Sequence, residues 1–343
     1  MDYGNLPEQF RFSHNFSFFL HDQLVSTVKE GAKADIFSVH VVANGPIQEG
    51  LGGDELFKWM TENGHRDEIK EMYYKQLTAA LLGDFLNFLY EALRCSAKGK
   101  LTVAYALLRK PLKENLLYLE WLLADPEDML TVFEGEELKA KSISKMSEKR
   151  KLELITLAME KTSLGGWMQP RLMYDLRYNK QFAFGYEDLF QKANHLVTTF
   201  PGLETEAANF NFIFSTEEAW LTQWEGLYSY LPLVIMHTID VVEALVSSFA
   251  KRRDDVLDLT FVRTRIGFAH WVDLSSNGLG STELMTEIRS MLNELDLDCP
   301  NCTEPVLSDN ESLFKLYEQN SIVCSGCGWT FDVNSGVEAA AAD

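Results

Sequence analysis

Basic residues are scarce in this chain. Its 343 residues carry 31 Lys and Arg against 51 Asp and Glu, a formal charge of −20. A generic nucleic-acid binder gathers cations to displace counterions from phosphates, and this balance is the reverse. Phosphate chemistry would need a local basic pocket. Long apolar runs are missing too, for none approaches the ~20 residues that span a bilayer. The most apolar stretch, Leu231 to Val246, is broken by Pro232, His237, Asp240 and Glu243. The first residues, Met1-Asp2-Tyr3-Gly4, lack a basic leader, so a cytoplasmic protein with no membrane partner is expected. There is no glycine loop to cradle a nucleotide. Glu49-Gly50-Leu51-Gly52-Gly53-Asp54 has no Lys-Ser/Thr after it and is expected to be a turn. No Ser-His-Asp order and no Gly-x-Ser-x-Gly elbow point to a hydrolase.

Cysteine is also rare, with five in the chain, but four of them are paired in sequence. Cys299-Pro300-Asn301-Cys302 and Cys324-Ser325-Gly326-Cys327 are two Cys-x-x-Cys hooks about twenty residues apart, the spacing of a tetrathiolate zinc site. Each hook aims two thiolates at one ion, and two hooks close a tetrahedron. Gly328 follows the second hook, where absence of Cβ eases a positive φ. Thr303 holds the matching place after the first hook. The alternative of two disulfides belongs to secreted proteins, and Cys95 is the one remaining cysteine. A structural Zn2+ on Cys299, Cys302, Cys324 and Cys327 is the expectation, with iron accepted by the same cage. Residues 297–343 hold eight acids against the single base Lys315, so this module is expected to be a structural clip or a protein-docking tab. Nucleic acid would be repelled by it.

Hydrophobic residues make up 46% of the chain and aromatics 12%, enough for a packed core. From Asp67 to Lys98 apolar residues recur every three or four positions, which predicts a helix ended by Gly99. A second helix is predicted from Leu101 to Ala124, kinked at Pro111 and stopped at Asp125-Pro126. The short link makes the two an antiparallel hairpin. Residues 131–150 read as a mobile connection, with a helix near Ser147 to Lys161 and an irregular, aromatic-rich segment from Gly165 to Phe214 that includes Trp167. Thr216-Glu217-Glu218 opens a long apolar helix to about Arg252, followed by helices over Asp255–Asp273 and Ser281–Leu295. Strands are expected at Leu313–Tyr317, Ile322–Val323 and Trp329–Val333.

The segment Phe261-Val262-Arg263-Thr264-Arg265-Ile266-Gly267-Phe268-Ala269-His270 places Arg before His on a late helix. Here the chain resembles the HEPN superfamily, helical bundles whose last core helix carries Arg, a polar residue, a short spacer and His. The hairpin, Arg109-Lys110-Pro111-Leu112-Lys113-Glu114 and Leu119-Glu120-Trp121-Leu122 share in the likeness, which covers residues ~65–275. The resemblance implies metal-independent cleavage of an RNA substrate by a homodimer, as in effectors of growth arrest or phage defence. Carried over by position, His270 would be the base or acid, its imidazole titrating near working pH. Arg263, followed by the polar Thr264, would clamp the phosphate. Arg265 is the alternative clamp, although Ile266 does not match the polar position.

Plainer roles stand beside these. His270 lies between Phe268 and Trp271 and could be a packed helical histidine; Arg263 and Arg265 could pair with Asp254, Asp255 or Asp258. Lys251-Arg252-Arg253 suits a helix C-terminus. His237 and Asp240, three apart, read first as a satisfied core histidine and its neighbour, and second as metal ligands. His14 and His21, seven apart on a helix expected over Gln9 to Val28, share a face expected to be surface or a partner contact. Arg177-Tyr178-Asn179-Lys180 could stack a base but more simply tethers the irregular segment. The expected fold is mainly α, a helical bundle with a small C-terminal zinc-ribbon β module. Its parts are an N-terminal helical region over 1–64, an HEPN-like bundle over 65–296 with an irregular insertion at 131–214, a ribbon over 297–335, and a disordered tail over 336–343. The two functions it allows are an endoribonuclease, and a non-catalytic scaffold or adaptor whose acidic ribbon contacts a protein partner.

Overall fold

The computed structural model describes residues 3–42, 52–135, 142–162, 168–199, 201, 203–213, 216–250, 259–276, 281–294, 297–333 and 337–339. Residues 49–51 of the glycine run, Trp167, Lys251-Arg252-Arg253, Asp254, Asp255 and Asp258 lie outside them. The fold is mainly α, with one small sheet. The chain forms two compact units, Met1–Arg252 and Arg253–Asp343.

In the first unit, α1 is Glu8–Lys33, α2 Gly53–Glu62, α3 Arg66–Ala97 and α4 Leu101–Lys110. A π turn over Pro111–Asn115 leads into α5, Leu116–Ala124. Then come α6 Pro126–Glu134, α7 Glu148–Glu160, α8 Pro170–Tyr178, α9 Tyr186–Asn194, α10 Glu217–Tyr228 and α11 Leu231–Ser247. The expected hairpin is α3 against α4. It turns at Gly99, whose φ of +71° closes the end of α3 without a Cβ clash. At the centre lies α5, with Leu116, Leu117, Leu119, Trp121, Leu122 and Leu123 all buried. A helix apolar on every side has to be surrounded, and α3, α6, α7 and α11 pack around it.

The break expected at Pro111 takes the form of the π turn. Proline lacks the N–H of the helical ladder and its ring crowds the carbonyl four residues back, so the backbone widens there. The segment expected to be irregular between 165 and 214 contains α8 and α9. Pro170 suits the first turn of α8, where no N–H is needed. The single helix expected after Thr216 is two, α10 and α11, separated at Ser229–Tyr230. Thr216 Oγ1 accepts from Ala219 N at 3.2 Å and caps α10. Among the described residues, Glu217–Ser247 is the stretch long and apolar enough to cross a membrane by length and composition, and 67% of its most apolar window is buried inside the protein.

His14 and His21 are buried in this unit instead of lying at the surface. His14 Nδ1 shares a 2.7 Å hydrogen bond with Tyr228 Oη, which sits 2.8 Å from Ser96 Oγ. Phe18 meets the imidazole edge-on at 5.0 Å. Such a pocket penalises imidazolium, and burial brings the His14 pKa down from 6.5 to about 4. The unfolded chain therefore takes up this proton near pH 6.5 while the folded chain resists it until about pH 4. Stability contributed by neutral His14 is complete above pH 6.5 and falls by about 3 kcal/mol on acidification to pH 4. His14→Gln, which keeps a partner for Tyr228, is expected to flatten that part of the pH dependence. Urea midpoints of both proteins at pH 7 and pH 4.5 check it, and equal acid losses would contradict the assignment.

The second unit contains α12 Leu259–Ser276, α13 Ser281–Asn293, α14 Asn310–Gln319, β1 Ser321–Val323, β2 Thr330–Asp332 and β3 Val337–Ala339. The strands form one antiparallel sheet in the order β1-β2-β3, with Ile322 opposite Phe331. β1 and β2 lie where strands are expected, and β3 falls in the tail that composition predicts to be unstructured. Leu313–Tyr317 is not a strand but part of α14. Asp309 accepts from Ser312 N at 2.8 Å as the N-cap, and Asn320 ends the helix at φ +53°. These two caps and the apolar spacing Leu313, Leu316, Tyr317 outweigh the strand propensity of a short apolar run. Both α13 and α14 pack on α12.

Candidate functional site

The four cysteines of the hooks come together. Their Sγ atoms all lie within 4.8 Å of one another, with Cys299 to Cys327 at 3.6 Å and Cys302 to Cys324 at 3.5 Å. A disulfide would require about 2.05 Å. A tetrahedron with Zn–S bonds of 2.3 Å has edges of about 3.8 Å, close to what is seen. The residues thus fit a metal that prefers four thiolates.

The two hooks fold alike. Cys299 N donates to Glu304 O at 2.9 Å and Thr303 N to Cys299 O at 2.9 Å. At the second hook Cys324 N donates to Trp329 O at 2.8 Å and Gly328 N to Cys324 O at 2.9 Å. Thr303 takes φ +61° and Gly328 +73°, so the first hook holds a β-branched residue in the left-handed region that the second gives to glycine. Asn301 joins the hooks: its backbone N–H points to Cys299 Sγ and its Nδ2 to Cys327 Sγ, each at 3.4 Å. The Asn301 amide, and then the Trp329 backbone, draw the Cys327 thiol down to about 6, while the neighbouring thiols push Cys302 up to about 12. Asp309 fastens the second hook to α14 by capping the helix while accepting from Ser325 Oγ.

The seven-residue spacing sets Arg263 and His270 on one face of α12, and Arg265 lies about 140–160° away from them around the helix. That face meets α14. Arg263 Nη2 donates to Tyr317 O at 2.9 Å. The His270 ring stands edge-on to Phe314, centroids 4.7 Å apart. Burial lowers the pKa of both Arg263 and His270 from their ordinary values. Arg265 lays its guanidinium over the Phe261 ring at 4.6 Å.

A second charged cluster was not foreseen. Arg177, Glu120 and His237 are 0%, 0% and 1% exposed. Arg177 Nη2 donates to Glu120 Oε1 and Oε2 at 2.7 and 2.9 Å, and His237 Nε2 lies 2.7 Å from Oε1. Arg177 Nη1 also donates to Leu112 O at 3.4 Å, and Tyr178 Oη to Lys113 O at 2.6 Å. Carbonyls of the π turn thus receive α8. Pro111 has a consequence at long range, because the widened turn is what α8 docks on. The available signal was Glu120, an isolated carboxylate inside an apolar helix, since a buried charge demands a partner. His237 proves to be a core histidine with that partner. Among the described residues, the four cysteines alone form a group of three or more His, Cys or carboxylate side chains within metal-binding reach.

The chain matches no protein-family model, no curated protein and no solved structure.

Proposed function

We propose that this protein is a non-catalytic helical adaptor whose C-terminal module, clipped by structural zinc, offers an acidic surface to a protein partner. The supporting observation is the use made of Arg263 and His270. One guanidinium nitrogen is spent on a backbone carbonyl of α14 and the imidazole packs against Phe314. These are contacts that fasten α14 to α12. Zinc suits a clip because it is redox-inert and closes a tetrahedral site with four thiolates. The acids of residues 297–343 then favour a partner with Lys and Arg at its contact surface.

The second reading is a metal-independent HEPN-type endoribonuclease acting as a homodimer. It is favoured by Arg263 and His270 sharing one face of α12, and by the burial that keeps His270 neutral and able to take a proton. One assay separates the two. Purified protein carrying about one zinc per chain is incubated with single-stranded and structured RNA, alongside His270→Ala. The adaptor reading expects no cleavage by either protein. Cleavage by the parent that falls a hundredfold or more in His270→Ala, the range of general-base removal, would overturn it.

A further inference from the structure

We infer that the first unit carries a docking groove for a basic, amphipathic segment of a partner protein, built by residues 203–213, α4 and α10. The groove is independent of the zinc module and stands whether or not that module docks anything. The loop 195–213 exposes Leu196, Val197, Phe210 and Ile213 by 57%, 54%, 45% and 53%. Val103 of α4 and Trp220 of α10 are also exposed. Single exposed apolar residues are ordinary, but Val103, Phe210, Ile213 and Trp220 gather at two adjoining hollows, and such a gathering marks an interaction site.

The loop is held in this shape from within. Thr198 N donates to Thr205 Oγ1 at 2.8 Å, Thr205 Oγ1 to Asn211 Oδ1 at 2.9 Å, and Asn211 Nδ2 to His195 O at 2.7 Å. Asn211 N closes the base by donating to Leu196 O at 2.9 Å. Thr198 and Asn211 are buried, so these polar side chains turn inward while Phe210 and Ile213 face water. Phe212 takes φ +61°, a strained value for a bulky residue. Its ring stacks on Tyr105 at 6.3 Å. The stacking on Tyr105 holds Phe212 in place against that strain, while Phe210 and Ile213 on either side are exposed.

Two hollows meet at Phe212 and Gln223. One, of about 270 Å³, is lined by Val103, Ile213 and Trp220; the other, of about 260 Å³, by Phe210, Lys192, Glu204 and Glu206. Each falls below the ~300–1,000 Å³ of small-molecule sites, so each suits one apolar side chain of a polypeptide better than a cofactor. Charge selects the occupant. Lys100 is exposed at the first hollow, and Glu204 and Glu206 are exposed at the second. Lys192, on the same rim, is already paired with Asp188 at 2.9 Å. An anionic lipid surface or a second copy of a −20 chain meets repulsion here, whereas Lys and Arg beside the apolar anchor of the second hollow meet attraction from Glu204 and Glu206.

The test uses the full-length zinc-loaded protein and a fluorescein-labelled amphipathic Leu/Lys peptide, with a Leu/Glu peptide of the same pattern, phosphatidylcholine/phosphatidylserine vesicles and sedimentation alongside. The Leu/Lys peptide is expected to bind, and the Leu/Glu peptide not. Ile213→Asp and Trp220→Ala change exposed side chains and are each expected to weaken binding at least tenfold. Ile213→Asp adds a negative charge, so general attraction of a cationic peptide would move the other way. Glu204→Lys combined with Glu206→Lys is expected to weaken binding and reduce its salt dependence. The inference is overturned by no binding, by equal binding to parent and Ile213→Asp, or by Ile213→Asp abolishing vesicle binding or self-association instead.

Discussion

Replacing Glu120 by leucine is expected to cost roughly 3–5 kcal/mol of folding stability, the range for removing one partner of a buried ion pair. Total stability of a domain is only about 5–15 kcal/mol, so the variant would sit near the edge of folding at 37 °C. The cause is what remains behind. Arg177 would keep the carbonyls of Met173 and Leu112 as acceptors but would have no anion, and at 0% exposure no water either. His237 would lose its 2.7 Å contact as well. The triple variant Glu120→Leu, Arg177→Met, His237→Phe fills the space with apolar atoms and is expected to recover most of the loss. Urea midpoints followed by helical ellipticity measure both. If single and triple variants lose stability equally, the charges are not what matters, and packing of α8 against the π turn is.

The other large effect concerns the metal. Structural zinc contributes on the order of 10–16 kcal/mol of apparent binding free energy at neutral pH, far more than two short turns can gain by their own packing. On the zinc reading proposed above, stripping the metal with a strong chelator is therefore expected to unfold the hooks, and Cys324→Ser, which removes a 1%-exposed member of the cysteine cluster, to do the same. Helices of the first unit share no ligand with the site and are expected to persist. Limited proteolysis read by mass spectrometry is the measurement. New cuts should appear at 297–309 and 321–333, with the hairpin of α3 and α4 still protected. A metal-free protein that resists cleavage there would show that the cysteines are not a folding element.

Sequence and tertiary structure divided the information by range. The four cysteines, the hairpin at Gly99, the cap at Thr216 and the helices around them were readable from the chain alone. Each depends on residues a few positions apart, or on a spacing that metal chemistry imposes. Where two local signals competed, the outcome needed the structure. Leu313–Tyr317 has strand-like composition, yet the Asp309 cap and the left-handed Asn320 make it helical. Helix spacing alone puts His14 at the surface or a partner contact, whereas Tyr228, 214 positions away, holds its nitrogen in the core. Arg263 and His270 formed a catalytic motif on paper, and whether they meet a cleft or a neighbouring helix was decided by α14 lying across them. The Arg177–Glu120–His237 cluster is the extreme case, joining positions 57 and 117 apart. A buried charge announces in sequence that it needs a partner, and only the packing of helices says which one it finds.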